Sequence, residues 1–211
     1  MKQLLIIGAR GWGREIYNML PHCKGYGTEY VVKGFLDDKA DALDGMPGYS
    51  PIIDSVEHYE PREDDVFTCA LGDAHWKKYY VEIVLGKGGE FINLTHRTAT
   101  YERNTSIGIG CIVCKNVGIS CDIKIGDFVT IQDNSCLGHD VIIGDYCHLG
   151  TRSFMGGGAT LGDVTTLQTS SIVLPHVKVG NDCMIGAGAV VIKKVKDGDT
   201  VYGNPAKVLK Y

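Results

Sequence analysis

The chain has 211 residues, of which 44% are apolar, and its formal net charge is −4 at pH 7; this is enough apolar material for two small cores. The slightly acidic balance excludes a basic surface for nucleic acid, and no apolar run is long enough to span a membrane. Because the first apolar run stops at Gly8, it is too brief for a secretory signal, and we expect a cytoplasmic protein that contacts neither nucleic acid nor membrane.

The first ninety residues alternate between strand and helix patterns. The predicted strands are Leu4–Ile7, Val31–Leu36 and Val66–Leu71, and the predicted helices are Glu15–Leu20 and Asp73–Gly86. The first strand ends in the turn Gly8-Ala-Arg-Gly-Trp-Gly13, and the second ends in Asp37-Asp38. Strands that alternate with helices predict an α/β domain with a small Rossmann-like parallel sheet.

The glycine turn after the first strand is a candidate ligand site. Glycines there let the backbone approach a phosphate at a helix N-terminus, and acids that end the second strand can accept hydrogen bonds from a nucleotide. The spacing Gly-x-x-Gly-x-Gly differs from the usual dinucleotide fingerprint, and a tight turn without a ligand explains it equally well. About ninety residues hold only half of a two-lobed dinucleotide fold, so a nucleotide or nucleotide sugar fits better than NAD.

A hexapeptide repeat occupies the second half of the chain. From Ile107 to Val191 every sixth residue is a large apolar one, in fifteen hexads without a break, and glycine follows it in nine of them. The fourth residue after the apolar one is small or β-branched throughout, so both positions are expected to point inward. Since three hexads close one triangular turn, the pattern predicts an all-β solenoid of five turns, roughly 24 Å tall. We place the domains at 1–100 and 101–211.

Because the inward positions are filled, reactive groups of the solenoid must project outward or lie beside a turn, as His139, His148 and His176 do. Asp140 directly follows His139, and a nearby carboxylate can hold an imidazole in one tautomer and raise its basicity, as a general base requires. Zinc is the competing role, but intervals of 9 and 28 residues give no obvious three-histidine cage. The sequence therefore predicts no metal site.

An ordered set of motifs runs along nearly the whole chain: Ile6-Ile-Gly-Ala-Arg-Gly-Trp-Gly13, Phe35-Leu-Asp-Asp38, Ala70-Leu-Gly-Asp73, Gly138-His-Asp140, Ile143-Gly-Asp-Tyr-Cys-His148 and Gly203-Asn-Pro-Ala206. With these motifs the chain resembles the bacterial sugar acetyltransferases of the sialic acid O-acetyltransferase type, which include N-acetyltransferases of nucleotide-linked aminosugars. The resemblance implies a nucleotide-binding front domain, a left-handed parallel β-helix, and a homotrimer with acetyl-CoA lying between adjacent helices.

The resemblance also implies roles for individual residues. His139 corresponds to the general base, and Asp140 to the acid that tunes it. The acetyl-CoA contacts correspond to His148, Gly157, Thr169 and Ala187. The sugar-nucleotide pocket corresponds to Arg10, Gly11, Trp12, Asp37, Asp38 and Gly72.

Three positions depart from the family pattern. The family commonly has a small residue at Arg10, a histidine at Trp12, and an asparagine at Gln132, where the acceptor is held. Arg10 can grip a phosphate and Trp12 can stack on a base, or together they can fill the pocket. The residues that correspond to the acetyl-CoA site therefore follow the family pattern more closely than those that correspond to the acceptor pocket.

The sequence and the resemblance together predict transfer of an acetyl group from acetyl-CoA to an amine or hydroxyl of a nucleotide-linked sugar. His139 would take the proton of the acceptor, and the Gly157 N–H would stabilise the oxyanion. One alternative is a non-catalytic trimeric scaffold that keeps a nucleotide pocket and binds no acetyl-CoA. Another is a zinc-dependent hydratase on the same solenoid.

Overall fold

The computed structural model describes residues 1–209. The chain forms two compact units, Met1–Arg97 and Thr98–Tyr211, where the sequence predicted domains at 1–100 and 101–211. The last two residues of the second predicted domain, Lys210 and Tyr211, lie outside the described residues. Among the residues described, no helix is both long enough and apolar enough to cross a membrane.

A five-stranded parallel sheet forms the first unit, in the order β3-β2-β1-β4-β5. Its elements are β1 (Lys2–Ile7), α1 (Gly11–Met19), a 3-10 turn (Leu20–His22), β2 (Tyr30–Leu36), β3 (Ile52–Asp54), β4 (Asp65–Cys69), α2 (Ala74–Gly86) and β5 (Glu90–Phe91), and the short strand β6 (Leu94–Thr95) follows. The three strands and two helices predicted from the sequence are present. Strands β3 and β5 were not predicted, because two or three residues are too few to form a recognisable apolar run.

The central strand β1 positions the candidate nucleotide site. It pairs with β2 on one side and β4 on the other, and its apolar residues are buried because both faces of a parallel sheet are covered. A crevice for a ligand forms where the strand order reverses, at the carboxyl ends of β1 and β4. A Cβ at Gly13 would overlap the carbonyl oxygen of Gly8, so glycine at this position lets α1 pack closely against the end of β1.

Three sheets form the walls of a β-helix in the second unit, and their strands pair in parallel except the last two of the chain, which pair antiparallel. The first wall contains β7 (Thr100–Tyr101), β10 (Gly118–Ile119), β13 (Cys136–Leu137), β16 (Phe154–Met155), β19 (Ile172–Val173) and β22 (Val190–Val191). The second contains β8 (Ser106–Ile107), β11 (Lys124–Ile125), β14 (Ile142–Ile143), β17 (Thr160–Leu161) and β20 (Lys178–Val179). The third contains β9 (Ile112–Val113), β12 (Thr130–Ile131), β15 (His148–Leu149), β18 (Thr166–Leu167), β21 (Met184–Ile185), β23 (Thr200–Tyr202) and β24 (Lys207–Val208).

The predicted inward positions form the core of this β-helix. Fourteen of the fifteen apolar positions are buried, Ile107 is partly buried, and all fifteen small or β-branched positions are buried. The nine glycines that follow the apolar residues have no positive φ. They are required for space instead, since a Cβ at Gly144 would overlap the carboxylate of Asp163. The left-handed backbone lies two residues later, as at Asp140 with φ +58°.

The corner between the second and third walls carries a ladder of side-chain caps. The Asp145 carboxylate accepts a hydrogen bond from the Asp127 N–H at 2.8 Å, and the Asp163 carboxylate accepts one from the Asp145 N–H at 2.9 Å. Asn181 and Asp197 continue the ladder toward the C-terminus. These aspartates therefore hold successive coils together, a role that hexad counting did not predict.

Candidate active site

The corner between the first and second walls, called here the histidine corner, carries His139 and Asp140. The His139 Nδ1 lies 2.7 Å from Asp140 Oδ2, and the His139 side chain is 62% exposed. The left-handed backbone of Asp140 is tolerated by aspartate. An Nδ1–H that donates to this carboxylate leaves the Nε2 lone pair free to accept a proton.

Two adjacent glycines on the next coil lie against two imidazole rings. A Cβ at Gly157 would lie 2.5 Å from His139 Nε2, and a Cβ at Gly158 would lie 2.5 Å from His176 Nδ1. The Gly158 N–H donates to the His139 carbonyl at 2.8 Å. Among the described residues, the Gly157 N–H donates no backbone hydrogen bond. The Nε2 atom of His139 and this N–H therefore belong to the same small region of surface.

Replacing Gly157 by alanine is expected to lower turnover by about 10²-fold, because the added Cβ displaces the His139 ring by roughly an ångström. The melting temperature should change little, since the displaced atoms are the end of an exposed side chain. Steady-state kinetics and a thermal melt measure the two effects. Unchanged turnover in Gly157→Ala would show that the position of the ring against this glycine does not matter.

Two further residues predicted to contact acetyl-CoA, Thr169 and Ala187, lie at a different corner. Between the third and first walls, at what we call the glutamine corner, the Thr151 N–H donates to Gln132 Oε1 at 3.0 Å. Thr169 follows on the next coil, and its carbonyl accepts the Gly188 N–H at 3.0 Å, beside Ala187. Within one chain, Gly157 therefore lies at the histidine corner and Thr169 and Ala187 lie at the glutamine corner, the two corners that flank the first wall.

His148 is not on the open surface, where the sequence placed it. It lies in β15 of the third wall, between Thr130 and Thr166 on the neighbouring strands, and only 7% of the residue is exposed. Hexad position predicts whether a side chain points inward or outward, but not whether other parts of the molecule cover an outward one. Cys147 is fully buried and its thiol donates to the Gly162 carbonyl at 3.0 Å. It is the fourth residue after the apolar Ile143, a position predicted to point inward.

A cavity of about 460 Å³ lies in the first unit, at the carboxyl ends of β1, β2 and β4. Of the residues predicted for the sugar-nucleotide pocket, those that line it are Arg10, Trp12, Asp37, Asp38 and Gly72. The sixth, Gly11, is the first residue of α1 and is exposed. The cavity remains open beside Arg10 and Trp12, which the sequence left as residues that either contact a ligand or fill the pocket.

The two acids at the end of β2 differ in their surroundings. Asp37 is buried, and its two carboxylate oxygens accept the N–H groups of Ala9 at 2.8 Å and Lys39 at 2.9 Å. Asp38 has a side chain that is 59% exposed, and the guanidinium of Arg10 lies 3.6 Å from it. Asp37 therefore ties the glycine turn to β2, whereas Asp38 faces solvent at the cavity.

The two helix N-termini at this edge of the sheet are not equivalent. The Asp73 carboxylate caps α2 by accepting the N–H groups of His75 and Trp76, each at 2.9 Å. The N-terminus of α1 has no side-chain cap and no acidic residue in its first turn. Exposed N–H groups and the helix dipole attract anions, so the N-terminus of α1 is more favourable to an anion than that of α2.

Family comparisons match both units. The family described as PglD N-terminal domain matches residues 3–84. The family described as bacterial transferase hexapeptide (six repeats) matches residues 122–157 and 158–193. No curated protein sequence matches the chain.

Solved structures match the chain over its full length. PerB from Caulobacter crescentus, in complex with CoA and GDP-perosamine, has 25% identity and a TM-score of 0.89, covering 100% of this chain and 98% of that one. The acetyltransferase domain of PglB from Neisseria gonorrhoeae, in complex with acetyl coenzyme A, has 26% identity and a TM-score of 0.85, covering 99% of each chain. A mutant perosamine N-acetyltransferase from Caulobacter crescentus has 24% identity, a TM-score of 0.89 and the same coverage as PerB.

The chain belongs to the bacterial sugar acetyltransferases. This membership confirms the family predicted from the sequence motifs. It also confirms the predicted fold class, a parallel α/β sheet followed by a left-handed parallel β-helix.

The alternative of a zinc-dependent hydratase requires histidines that meet at one metal site. His139 and His176 lie at the histidine corner, whereas His148 is in the third wall. Within residues 1–209, no group of three or more histidine, cysteine, aspartate or glutamate side chains is arranged to hold a metal ion. The three histidines thus form no common site in one chain.

The most prominent cavity residues that sequence reasoning missed are aromatic. Trp76 and Tyr80 of α2 line the cavity, and their rings stack with centroids 6.1 Å apart. Their helical spacing predicted a helix but gave no sign of which face would meet the β1 turn. A sequence signal does exist in hindsight, since Trp76 follows shortly after the Gly72-Asp73 motif of the acetyltransferase family.

Proposed function

We propose that this protein transfers the acetyl group of acetyl-CoA to an amine or hydroxyl of a nucleotide-linked sugar, with His139 as the general base. The observation that carries the proposal is the 2.7 Å contact between His139 Nδ1 and Asp140, together with Nε2 lying against Gly157. Family membership supports the acyl transfer, and the CoA and GDP-perosamine bound in PerB support the two substrates.

The proton and acyl transfers follow from this geometry. His139 Nε2 takes the proton of the acceptor amine or hydroxyl as that atom attacks the thioester carbonyl carbon. The Gly157 N–H donates to the carbonyl oxygen as negative charge develops on it. When the carbon–sulfur bond breaks, the imidazolium returns the proton to the CoA thiolate, and Asp140 holds the ring in place throughout. No covalent enzyme intermediate is needed.

The cavity of the first unit is proposed to bind the nucleotide. The uncapped N-terminus of α1 suits a diphosphate, and the exposed guanidinium of Arg10 lies beside it. Asp38 has carboxylate oxygens available for sugar hydroxyls or base N–H groups, whereas those of Asp37 bind the backbone. The proposal thus gives Asp37 a positioning role and Asp38 a binding role.

A panel of acceptors tests the proposed reaction. CoA release from acetyl-CoA is measured with UDP-, GDP- and CMP-linked aminosugars and with free sialic acid. We expect at least one nucleotide-linked aminosugar to stimulate release strongly and free sialic acid to have no effect. Stimulation by free sialic acid alone would refute the nucleotide requirement. Absence of acetyl-CoA binding in calorimetry would favour the non-catalytic scaffold.

We also propose that the active form is a homotrimer, since the predicted donor contacts occupy two corners of one chain. The outer positions of the first wall, which separates these corners, carry no charge: Thr100, Gly118, Cys136, Phe154, Ile172 and Val190. The second wall exposes lysines, such as Lys124 and Lys178, instead. Packing of the first walls around a threefold axis would bring the histidine corner of one copy to the glutamine corner of the next, with acetyl-CoA between them.

Substitution of Phe154 by glutamate is expected to dissociate the trimer at micromolar protein concentration, because like charges brought together at an interface cost several kcal/mol. Light scattering after size-exclusion chromatography measures the mass. Lys178→Glu on the second wall is the matched control and should remain trimeric. A trimeric Phe154→Glu would exclude this wall as the interface, and a monomeric native protein would exclude the trimer.

A cytoplasmic location completes the proposal. The eight cysteines all lie within residues 1–209 and form no disulfide bond there, which suits a compartment in which thiols stay reduced.

A further inference from the structure

The aromatic side chains of α2 differ in their relation to the cavity. Trp76 lines the cavity and is 57% exposed, and Tyr80 lines it from a half-buried position. Tyr79 is 48% exposed but is not among the residues around the cavity. A large indole face left open at a concave, otherwise preorganised site is typical of a surface that a planar ligand covers.

The cavity is also lined by the acids Asp37 and Asp38. The pKa of Tyr80 is raised, first by burial and then by the negative charge of Asp38 and other nearby acids. Trp76 and Tyr80 of α2 and the acid pair Asp37 and Asp38 thus line one and the same cavity. The uncapped N-terminus of α1 opens at the same edge of the sheet.

We infer that Trp76, with Tyr80 stacked behind it, is the platform on which the base of the bound nucleotide stacks, while Asp38 binds the ribose or the base edge. The inference rests on the proposed nucleotide function of the cavity and names a residue that sets its affinity. Every base has a π-face, so stacking on an indole strengthens binding with little dependence on base identity. Discrimination between bases then falls to Asp38 and its neighbours.

The two tryptophans of the chain provide a direct readout, because Trp12 and Trp76 both line this cavity. In Trp12→Phe, Trp76 is the remaining indole, and we expect GDP to quench its emission in a saturable titration. Inorganic pyrophosphate, which has no base, should bind without comparable quenching. Saturable GDP binding measured by calorimetry, without any change in Trp76 emission, would overturn the stacking.

Affinity provides the second test. Trp76→Leu should raise the Kd of GDP and of UDP about 10-fold in calorimetry, and Trp76→Phe should recover most of the loss. The Kd of pyrophosphate should be the same in Trp76→Leu and the native protein. Tyr79→Leu removes a ring that is 48% exposed and does not line the cavity. Because its edge contacts Trp76 and Tyr80, this variant controls for altered ring packing, and we expect a much smaller change in the Kd of GDP than in Trp76→Leu.

The outcomes separate the inference from the proposal beneath it. Equal GDP affinity in Trp76→Leu and the native protein would overturn the stacking role while leaving the nucleotide cavity intact. Parallel loss of GDP and pyrophosphate binding would also overturn it, since the substitution would then have damaged the cavity generally. If the native protein binds neither GDP nor UDP, the proposed nucleotide function of the cavity falls, and the inference falls with it.

Discussion

Replacing His139 by alanine is expected to lower the turnover of acetyl transfer by a factor of about 10² to 10⁴, the range for loss of a general base. The side chain is exposed and makes no core contact, so the melting temperature and the affinity for acetyl-CoA should stay near those of the native protein. Steady-state kinetics with the acceptor identified in the panel, combined with a thermal melt and calorimetry, measures all three quantities.

Two further variants sharpen this test. His176→Ala removes the other exposed histidine at the same corner, which lies against the neighbouring glycine, and should leave turnover nearly unchanged. Asp140→Asn keeps the size of the side chain but replaces the carboxylate that lies 2.7 Å from the His139 ring. We expect a loss of turnover between those of His176→Ala and His139→Ala. Near-normal turnover in His139→Ala would show that another group removes the proton.

Replacing Ile143 by aspartate is expected to abolish stable folding of the β-helix, with a loss of more than about 4 kcal/mol in the free energy of unfolding. Ile143 is 2% exposed and lies between Ile125 and Leu161 on adjacent coils. The substitution removes an apolar side chain from the core and places an unpaired carboxylate there. Circular dichroism with a thermal melt gives the result.

The matched control for Ile143 is Lys124→Asp. Lys124 is in the same wall, one strand away, and its side chain points to solvent. Its replacement should change stability by less than about 0.5 kcal/mol. Similar melting curves for the two variants would mean that the hexad assignment of inward and outward positions is wrong.

The hexad pattern was sufficient to predict the core of the second unit. Because each coil repeats after 18 residues, as in the pairing of Ile125 with Ile143, a position has nearly the same environment on every coil. One register assignment therefore determines burial for the whole series. Ile107 is only partly buried, since it lies near the first coil and has fewer neighbours.

The candidate site was predictable only in part. The adjacency of His139 and Asp140 in sequence was enough to suggest their contact. Burial of His148 was not predictable, since the hexad pattern gives the direction of a side chain but not its exposed fraction. The platform at Trp76 was missed because α2 follows β4, and its approach to the acid pair depends on how the helix packs across the sheet.

By itself the sequence determined the family, the two folds, the inward and outward positions of each coil, and the pairing of His139 with Asp140. These are properties of residues close in the chain or related by a strict period, so local geometry is enough to place them. Tertiary structure alone decided the burial of His148 in the third wall and the aromatic face of the cavity. Each of these depends on segments far apart in the chain, whose relative positions come only from packing.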